Sequence, residues 1–243
     1  MSTPKVSIVI PCYNAEKWIM QCVSSALEQA YDNVEVIAVD NESKDNTLNI
    51  LENIKNDKLK VSTAKNIYPH CWDEAREKGF SLSTGKYLFT LASDDFLHKE
   101  YVSSCMKYIS AASDKIMIFQ SPIRGIKNDV EFNEIKHLYS SFKQLKKMLL
   151  SKCPVNSPTA VYNRKLYDEG ILKTKPDKYS GAADYDLYCS LVDRGHFIFP
   201  ANKWLGYYYR WHPEQATWEM HKEKNRVNYD KLIQEYWREK WKM

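Results

Sequence analysis

Residues 87–96 read YLFTLASDDF, and this segment decides how the rest of the chain is interpreted. Its first five residues are apolar, aromatic or β-branched, which is typical of a strand buried on both faces. The run ends at two adjacent carboxylates, Asp94 and Asp95. Ligands of open α/β sheets bind beyond the carboxyl ends of the strands. The pair therefore predicts either a site for Mg²⁺ or Mn²⁺, which prefer hard oxygen ligands, or a turn with a helix N-cap, where Asp is also favoured.

The bulk composition is that of an ordinary globular protein. The chain has 243 residues, of which 44% are hydrophobic and 27% are charged, so disorder is not expected. The net charge of +4 and the pI near 8.5 are too mild to indicate a nucleic-acid partner, but they are compatible with an anionic substrate or a membrane surface.

Cysteine spacing and hydropathy exclude several other classes of protein. The six cysteines show no CxxC spacing, so neither a disulfide framework nor a zinc site is expected. Residues 6–10 are too short for a signal-peptide core, and no apolar run approaches the roughly 18 residues of a membrane span. We expect a reduced, cytoplasmic protein that does not cross a membrane.

Strand and helix patterns alternate along the first half of the chain. Besides the opening segment, strands are predicted at 5–11, 34–40 and 59–62, and helices at 15–29, 48–54 and 72–83. Such βαβ units predict a mostly parallel sheet with right-handed crossovers.

The pattern weakens in the second half. There we predict strands at 115–120, 197–199 and 205–209, and helices within 129–152, at 184–193 and at 227–241. With neither repeats nor a linker, the prediction is one continuous domain, residues 1–243, with a nucleotide-binding half at 1–110 and an accessory half at 111–243.

Three predicted strands end in groups suited to a nucleotide diphosphate: residues 11–14 (PCYN), 40–41 (DN) and 94–95 (DD). Parallel order brings such ends to one edge of a sheet. No GxGxxG follows residue 10, which disfavours a dehydrogenase-type dinucleotide fold, and no GxxxxGK[ST] occurs, which excludes a P-loop. Without a glycine cradle a diphosphate needs a cation, which favours the cation interpretation of the two acids.

Residues 6–14 (VSIVIPCYN), 35–47 (EVIAVDNESKDNT) and 85–95 (GKYLFTLASDD) together resemble the family 2 glycosyltransferases. The resemblance implies an α/β, GT-A (Rossmann-like) fold, with a mostly parallel central sheet flanked by helices and an accessory C-terminal acceptor half. It also implies inverting transfer of a sugar from a nucleoside diphosphate sugar, commonly a UDP-sugar, to a hydroxyl acceptor with the help of Mn²⁺ or Mg²⁺.

The same resemblance assigns roles to residues at the ends of the first two strands. Pro11 and Tyr13 match the loop that lines the nucleotide pocket. Asp40 matches the acid that contacts the base. The alternative for Asp40 is a loop cap beside Ser43 and Thr47.

Two further matches concern the nucleotide and the cation. Arg76 matches an Arg-Asn segment near the nucleotide, but Glu77 replaces the Asn, and a solvated helix face is the alternative. Ala92 stands where the longer Asp-x-Asp-Asp motif has its first acid. The resemblance then places Asp94 against the ribose and Asp95 on the metal.

In the second half, residues 181–187 (GAADYDL) resemble a Glu-Asp segment whose Asp is the general base. Asp184 occupies that position, Ala183 replaces the Glu, and Asp186 is the reserve candidate; a helix N-cap is the alternative for Asp184. Residues 207–217 resemble a Tyr-Arg-x-His segment, which implies His212 as a metal ligand, with a packing role as its alternative.

The C-terminal residues 225–243 mix basic and aromatic side chains. They predict a helix that packs on its own domain or lies at a membrane interface. The implied acceptor is a glycan, a lipid or a protein. Two rival functions are a catalytically silent GT-A domain that acts as a binding or scaffold protein, and a nucleotidyltransferase, which the absence of glycine from residues 11–17 disfavours.

Overall fold

Two sheets carry the fold of the computed structural model, which describes residues 3–68, 71–111, 116–215 and 227–243. The strands are β1 (Val6–Cys12), β2 (Val34–Asp40), β3 (Leu59–Thr63), β4 (Tyr87–Thr90), β5 (Phe96–Leu97), β6 (Ile118–Gln120), β7 (Ile123–Lys127), β8 (Val130–Ile135), β9 (Val161–Asn163), β10 (Ile198–Pro200) and β11 (Tyr207–Arg210). The helices are α1 (Ile19–Leu27), α2 (Thr47–Asn53), α3 (Asp73–Leu82), α4 (Tyr101–Ala111), α5 (Phe142–Leu149), α6 (Arg164–Asp168), α7 (Pro176–Tyr179), α8 (Ala183–Asp193) and α9 (Tyr229–Trp241). Short 3-10 turns lie at Ser157–Thr159 and Ser180–Ala182.

The larger sheet has the strand order β10-β6-β9-β4-β1-β2-β3. Its neighbours pair in parallel, except that β9 runs antiparallel to both β4 and β6. Tyr162 of β9 lies opposite Leu88 of β4 and Ile118 of β6. The smaller sheet has the order β5-β11-β7-β8. The expected mostly parallel α/β fold is therefore confirmed.

The larger sheet buries both of its faces, because successive side chains of a strand point to opposite sides. In β1, Ile8 and Ile10 join the cluster that includes α1 and α4, whereas Val9 joins the cluster with α3, α5, α8 and α9. Helix α3 lies very close to this second face, since a Cβ added at Gly79 would sit 2.2 Å from Val9 Cγ1. A side chain at position 79 would push the helix away from the sheet.

Most predicted elements of the first half are confirmed within a few residues. The second half differs more. The segment 129–152 holds the predicted helix as α5, with Leu145 and Leu149 buried, but its first part forms the unpredicted strand β8. The strands β5, β7 and β9 were also not predicted. Of the predicted strand at 115–120, residues 118–120 form β6, and residue 115 lies outside the described residues.

The C-terminal helix α9 packs on its own domain, as one of the two alternatives predicted. Its Ile233 and Trp237 are buried in the same cluster as α5 and α8. All six cysteines carry free thiols. Among the helices that the structure describes, none has both the length and the apolar character needed to cross a membrane.

Candidate functional site

The carboxyl ends of β1, β2 and β4 lie side by side at one edge of the larger sheet. Cys12 of β1 is in register with Asp40 of β2, and the amide of Asn41 donates to the Cys12 carbonyl at 2.7 Å. On the other side of β1, the amide of Leu91 donates to the carbonyl of Val9 at 2.9 Å. The convergence expected from a parallel sheet is thus present.

At this edge, one carboxylate oxygen of Asp40 accepts a hydrogen bond and the other has no donor among the described residues. Its Oδ2 accepts a hydrogen bond from the Ser43 amide at 3.1 Å, which is the loop contact expected of a cap. Its Oδ1 is buried and has no hydrogen-bond partner among the described residues. A buried carboxylate oxygen without a donor is costly, so this atom is suited to a donor group of a ligand.

Pro11 and Tyr13, two further residues predicted to line the nucleotide pocket, lie at the end of β1 and in the loop that follows it. Pro11 is buried within β1, whereas the ring of Tyr13 is 48% exposed. The loop is tied to the one after β2, because the Asn14 amide donates to Ser43 Oγ at 3.0 Å and the Lys44 amide donates to Asn14 Oδ1 at 2.7 Å. The two loops therefore hold an exposed aromatic ring close to the end of β2.

Asp94 and His212 form the second feature of the edge. His212 Nε2 lies 3.0 Å from Asp94 Oδ2, and both side chains are partly buried. The His212 ring also packs against Trp18, with ring centroids 5.4 Å apart. Its Nδ1 is buried without a hydrogen-bond partner in the described part of the chain. Two residues 118 positions apart thus bring a carboxylate and an imidazole together.

Asp95 is held by two hydrogen bonds from β11. Its Oδ2 accepts from the Tyr207 hydroxyl at 2.7 Å and its Oδ1 accepts from the Arg210 amide at 2.8 Å. Burial, and then the neighbouring charge of Asp94, raises the pKa of Asp95 well above its ordinary value, while these two hydrogen bonds oppose that rise. A cation beside the pair would favour the ionised form of both acids.

Arg210 also holds the backbone of Asp94. Its Nε donates to the carbonyl of Asp94 at 2.8 Å, and its guanidinium lies 4.4 Å from the ring centroid of Trp18. Tyr207 and Arg210 were not predicted as site residues, although both fall within the segment that resembles the Tyr-Arg-x-His motif. Their role in holding Asp95 depends on the pairing of β11 with β5, which no local pattern indicated.

Asp184 lies in the first turn of α8. One of its oxygens accepts a hydrogen bond from the Ser157 hydroxyl, and the other accepts from the Tyr185 amide at 2.7 Å. Burial raises the pKa of the Asp184 carboxyl, and the hydrogen bonds from Ser157 and Tyr185 oppose that effect. A carboxylate of raised pKa is a better proton acceptor than a fully solvated one.

Asp186 has structural partners instead. It is 2% exposed, and it accepts from Trp237 Nε1 and from Lys175 Nζ, each at 2.8 Å. These bonds join α8 to α9 and to the segment before α7. Asp184 is therefore the better placed of the two candidates for proton transfer.

Arg76 is buried rather than part of a solvated helix face, so that alternative is wrong. Its Nη2 donates to Asp73 Oδ1 at 2.7 Å and to Thr174 Oγ1 at 3.1 Å. The charge of Arg76 lowers the pKa of Asp184, whereas the charge of Asp73 raises it. The contacts of Arg76 are thus with Asp73 and Thr174, and the prediction that Arg76 contacts the nucleotide stays a prediction.

Solved structures that resemble this chain identify its fold. The first 349 residues of Staphylococcus aureus TarS in complex with UDP-GlcNAc match with a TM-score of 0.69 and 21% identity, over 87% of this chain and 60% of that one. A mannosyltransferase from Pyrobaculum calidifontis in complex with GDP-Man and Mn²⁺ matches with a TM-score of 0.64 and 15% identity, over 96% and 69% of the two chains. The fold is that of the GT-A glycosyltransferases.

Sequence comparison gives the family. Residues 7–171 match the model of glycosyl transferase family 2, and the chain belongs to that family. The Escherichia coli chondroitin synthase is 30% identical over 201 residues, which cover 80% of this chain and 27% of that protein. The chain spans between 26% and 31% of the length of the first curated relatives that it matches. The family assignment gives no support to the nucleotidyltransferase alternative.

Proposed function

We propose that the chain transfers a sugar, with inversion, from a nucleoside diphosphate sugar to a hydroxyl group of a glycan, lipid or protein acceptor. UDP is the proposed nucleotide, since the TarS structure of similar fold holds UDP-GlcNAc. The observation that carries the proposal is the 3.0 Å approach of Asp94 Oδ2 to His212 Nε2 at the carboxyl edge of a GT-A sheet. That edge is where an α/β sheet binds its ligands.

The side chains at this edge fit a divalent cation. A carboxylate oxygen and a neutral imidazole nitrogen are both good ligands of Mn²⁺, and Mg²⁺ accepts carboxylates. Asp94 and His212 already converge, and Asp95, the carboxylate predicted as the metal ligand, keeps a second lone pair on each oxygen that accepts a hydrogen bond. Among the described residues no three such ligands, these included, already surround one point, so diphosphate and water oxygens would supply the other positions. Bound there, the cation would neutralise charge on the leaving diphosphate.

The donor nucleotide is proposed to lie over the ends of β1 and β2. The unpaired Oδ1 of Asp40 would accept an N–H of the base, and the exposed ring of Tyr13 offers a surface for stacking. Pro11 fixes the backbone where the loop of Tyr13 leaves β1. Asp94 would then face the ribose, and Asp95 would bind the cation and, through it, the diphosphate.

Asp184 is proposed as the general base. Its carboxylate takes the proton from the acceptor hydroxyl while that oxygen forms a bond to the anomeric carbon. The bond from the anomeric carbon to the diphosphate oxygen breaks at the same time, and its electron pair leaves with the nucleoside diphosphate. The leaving group needs no protonation if its charge is neutralised.

The test is release of UDP from UDP-sugars in the presence of Mn²⁺ and a panel of hydroxyl acceptors. Asp184→Asn should keep UDP affinity and lose transfer by at least about 100-fold, the lower range of general-base effects. His212→Ala should weaken Mn²⁺-dependent UDP binding by about tenfold or more. Asp186→Asn is the matched control for a buried acid of α8, and it should retain transfer.

The rival function is a catalytically silent GT-A domain. Its support is that Glu77, Ala92 and Ala183 depart from the commonest residues of the family. UDP-sugar binding without turnover across the whole acceptor panel would favour this rival. Absence of both binding and turnover for every nucleotide sugar would contradict the proposed function itself.

A further inference from the structure

Three hydroxyl groups form a hydrogen-bonded chain that ends on the carboxylate of Asp184. The Ser157 hydroxyl contacts both Asp184 Oδ2 and the Tyr188 hydroxyl, the latter at 2.7 Å. The Tyr162 hydroxyl in turn lies 3.3 Å from that of Tyr188. Asp184 and Tyr188 are four residues apart and so share one face of α8, where Ser157 bridges them. The chain therefore links α8, the 3-10 turn Ser157–Thr159 and strand β9.

The hydrogen bonds of this chain have one direction when Asp184 is ionised. A carboxylate only accepts, so the single hydroxyl proton of Ser157 is donated to Asp184. Tyr188 must then donate to Ser157, and Tyr162 to Tyr188. Burial raises the pKa of Tyr162 to about 12 and that of Tyr188 well above its ordinary value, so both phenols keep their protons. Aligned donors of this kind strengthen one another in a low-dielectric interior.

Ser157 is held in place by the backbone around it. The Asn156 side chain donates to the carbonyls of Ser121 and Ile135, at 3.0 and 3.1 Å, and the Asn156 amide donates to Gln120 Oε1 at 2.9 Å. The Ser121 amide donates to Thr159 Oγ1 at 3.1 Å. Both sides of Ser157 are thus fastened to the end of β6. A hydroxyl fixed in this way can orient a carboxylate.

We propose that Ser157, itself oriented by Tyr188 and Tyr162, is a positioning residue that fixes the orientation of the Asp184 carboxylate toward the acceptor hydroxyl. The inference rests on the proposed function for the role of Asp184 in transfer. Each Asp184 oxygen keeps one lone pair for the incoming proton, because Oδ2 accepts from Ser157 and Oδ1 accepts from the Tyr185 amide. Without Ser157 the carboxylate would lose its side-chain donor and would protonate at higher pH.

Other titratable groups also face Asp184. Asp73 and Arg76 approach it from α3 with opposite effects on its pKa, and Asp73 is itself paired with Arg76 at 2.7 Å. Cys153 lies near it from the segment before the 3-10 turn, and burial keeps that thiol protonated. None of these groups is changed in a Ser157 or Tyr188 variant. A change in the Asp184 pKa of such a variant would therefore come from the loss of the hydroxyl chain.

The direct test is a carboxyl ¹³C NMR titration of protein labelled with ¹³C-aspartate, with the Asp184 signal identified by its loss in Asp184→Asn. Ser157→Ala should raise the pKa of Asp184 by about one pH unit, the size expected for one hydrogen bond to a charge. Tyr188→Phe should raise it by less, and Ser157→Thr, which keeps the hydroxyl, should restore it. Ser83→Ala removes another buried hydroxyl, which donates to the Gly79 carbonyl, and should leave the Asp184 pKa unchanged.

An unchanged Asp184 pKa in Tyr188→Phe and Ser157→Ala would overturn the inference, as would a raised pKa that persists in Ser157→Thr. The titration needs no substrate, so it stays decisive if no transfer is found and the proposed function fails. Where transfer is measurable, the acid limb of the pH profile of kcat/KM should move up by the same amount in Ser157→Ala. The KM for the donor should not change, because Ser157 is proposed to act through Asp184 alone.

Discussion

Individual buried acids in this chain are distinguished by their partners. Asp184 has one serine hydroxyl and one amide, Asp186 has an indole and a lysine, and Asp95 has a phenol and an amide. Glu35 is the most heavily bonded of the four. It accepts from the hydroxyls of Ser7 and Thr84, the Thr84 amide, Lys5 and Lys60, at distances between 2.6 and 3.1 Å. Its carboxylate ties β1 and β2 to the turn that leads into β4.

We therefore expect the contribution of Glu35 to the free energy of unfolding to depend on pH. Burial alone would raise the pKa of Glu35, but the hydrogen bonds from Ser7, Thr84, Lys5 and Lys60 lower it from 4.5 to about 2. A lowered folded-state pKa stabilises the protein above the unfolded value, and this stabilisation is lost as the pH falls from about 4.5 toward 2. By linkage the contribution at neutral pH is on the order of 3 kcal/mol.

Glu35→Gln should accordingly lower the free energy of unfolding at pH 7, as measured by urea denaturation. The difference from the unchanged chain should shrink between pH 4.5 and the lowest pH at which the protein folds. Glu28→Gln is the control, because it removes the same charge from an exposed position, and it should change the free energy of unfolding little. A loss in Glu35→Gln that is the same at pH 7 and pH 3.5 would contradict the linkage.

Some strands of the larger sheet have a clear local sequence pattern and others have none. β1, β2 and β4 are buried on both faces and are mostly apolar, apart from Ser7 in β1, Glu35 and Asp40 in β2, and Thr90 at the end of β4. Their positions, and the meeting of their carboxyl ends at one edge, therefore follow from the sequence. β9 has three residues and sits antiparallel between two parallel strands, a position set by the fold and not by its own pattern. Consequently Tyr162, which lies in β9, gave no signal as a member of the hydroxyl chain that ends on Asp184.

Of the smaller sheet, β11 matches the strand predicted at 205–209, whereas β7 and β8 were missed for a related reason. β8 contains three acidic or amide side chains that stay exposed, and β7 contains Gly125, which weakens a strand pattern. Gly125 is needed there because an added Cβ would lie 2.5 Å from the Phe132 ring of β8. Long-range pairing, rather than local propensity, therefore determines both strands.

The packing of α9 against the rest of the domain can be tested by substitution. Trp237 is 2% exposed, and its indole N–H donates to Asp186 at 2.8 Å. Trp237→Ala should lower the free energy of unfolding by about 3–5 kcal/mol, because it opens a cavity and leaves Asp186 with one fewer donor. Leu232→Ala on the same helix, where the side chain is 45% exposed, should change it by less than about 0.5 kcal/mol. Equal losses in both variants, measured by urea denaturation, would show that the packing of α9 is not specific.

The larger sheet contains strands from both halves of the chain. β9 comes from the second half, yet it lies between β4 of the first half and β6. The edge that is proposed to bind the donor is likewise shared, since Asp94 follows β4 and His212 follows β11. We propose on these grounds that residues 1–110 and 111–243 unfold as one cooperative unit, and that a ligand at the shared edge stabilises both.

A thermal-unfolding experiment tests this coupling. A ligand that binds only the native state at 100 times its Kd adds about 2.7 kcal/mol. For a chain of this size, UDP with Mn²⁺ should then raise the Tm of a single transition by roughly 5–10 °C. Replacing Mn²⁺ with a chelator should remove most of the rise, because the diphosphate then lacks its counter-charge at Asp94 and His212. Two transitions, of which UDP moves one, would contradict the single unit, whereas one transition that no nucleotide moves would contradict the proposed donor site.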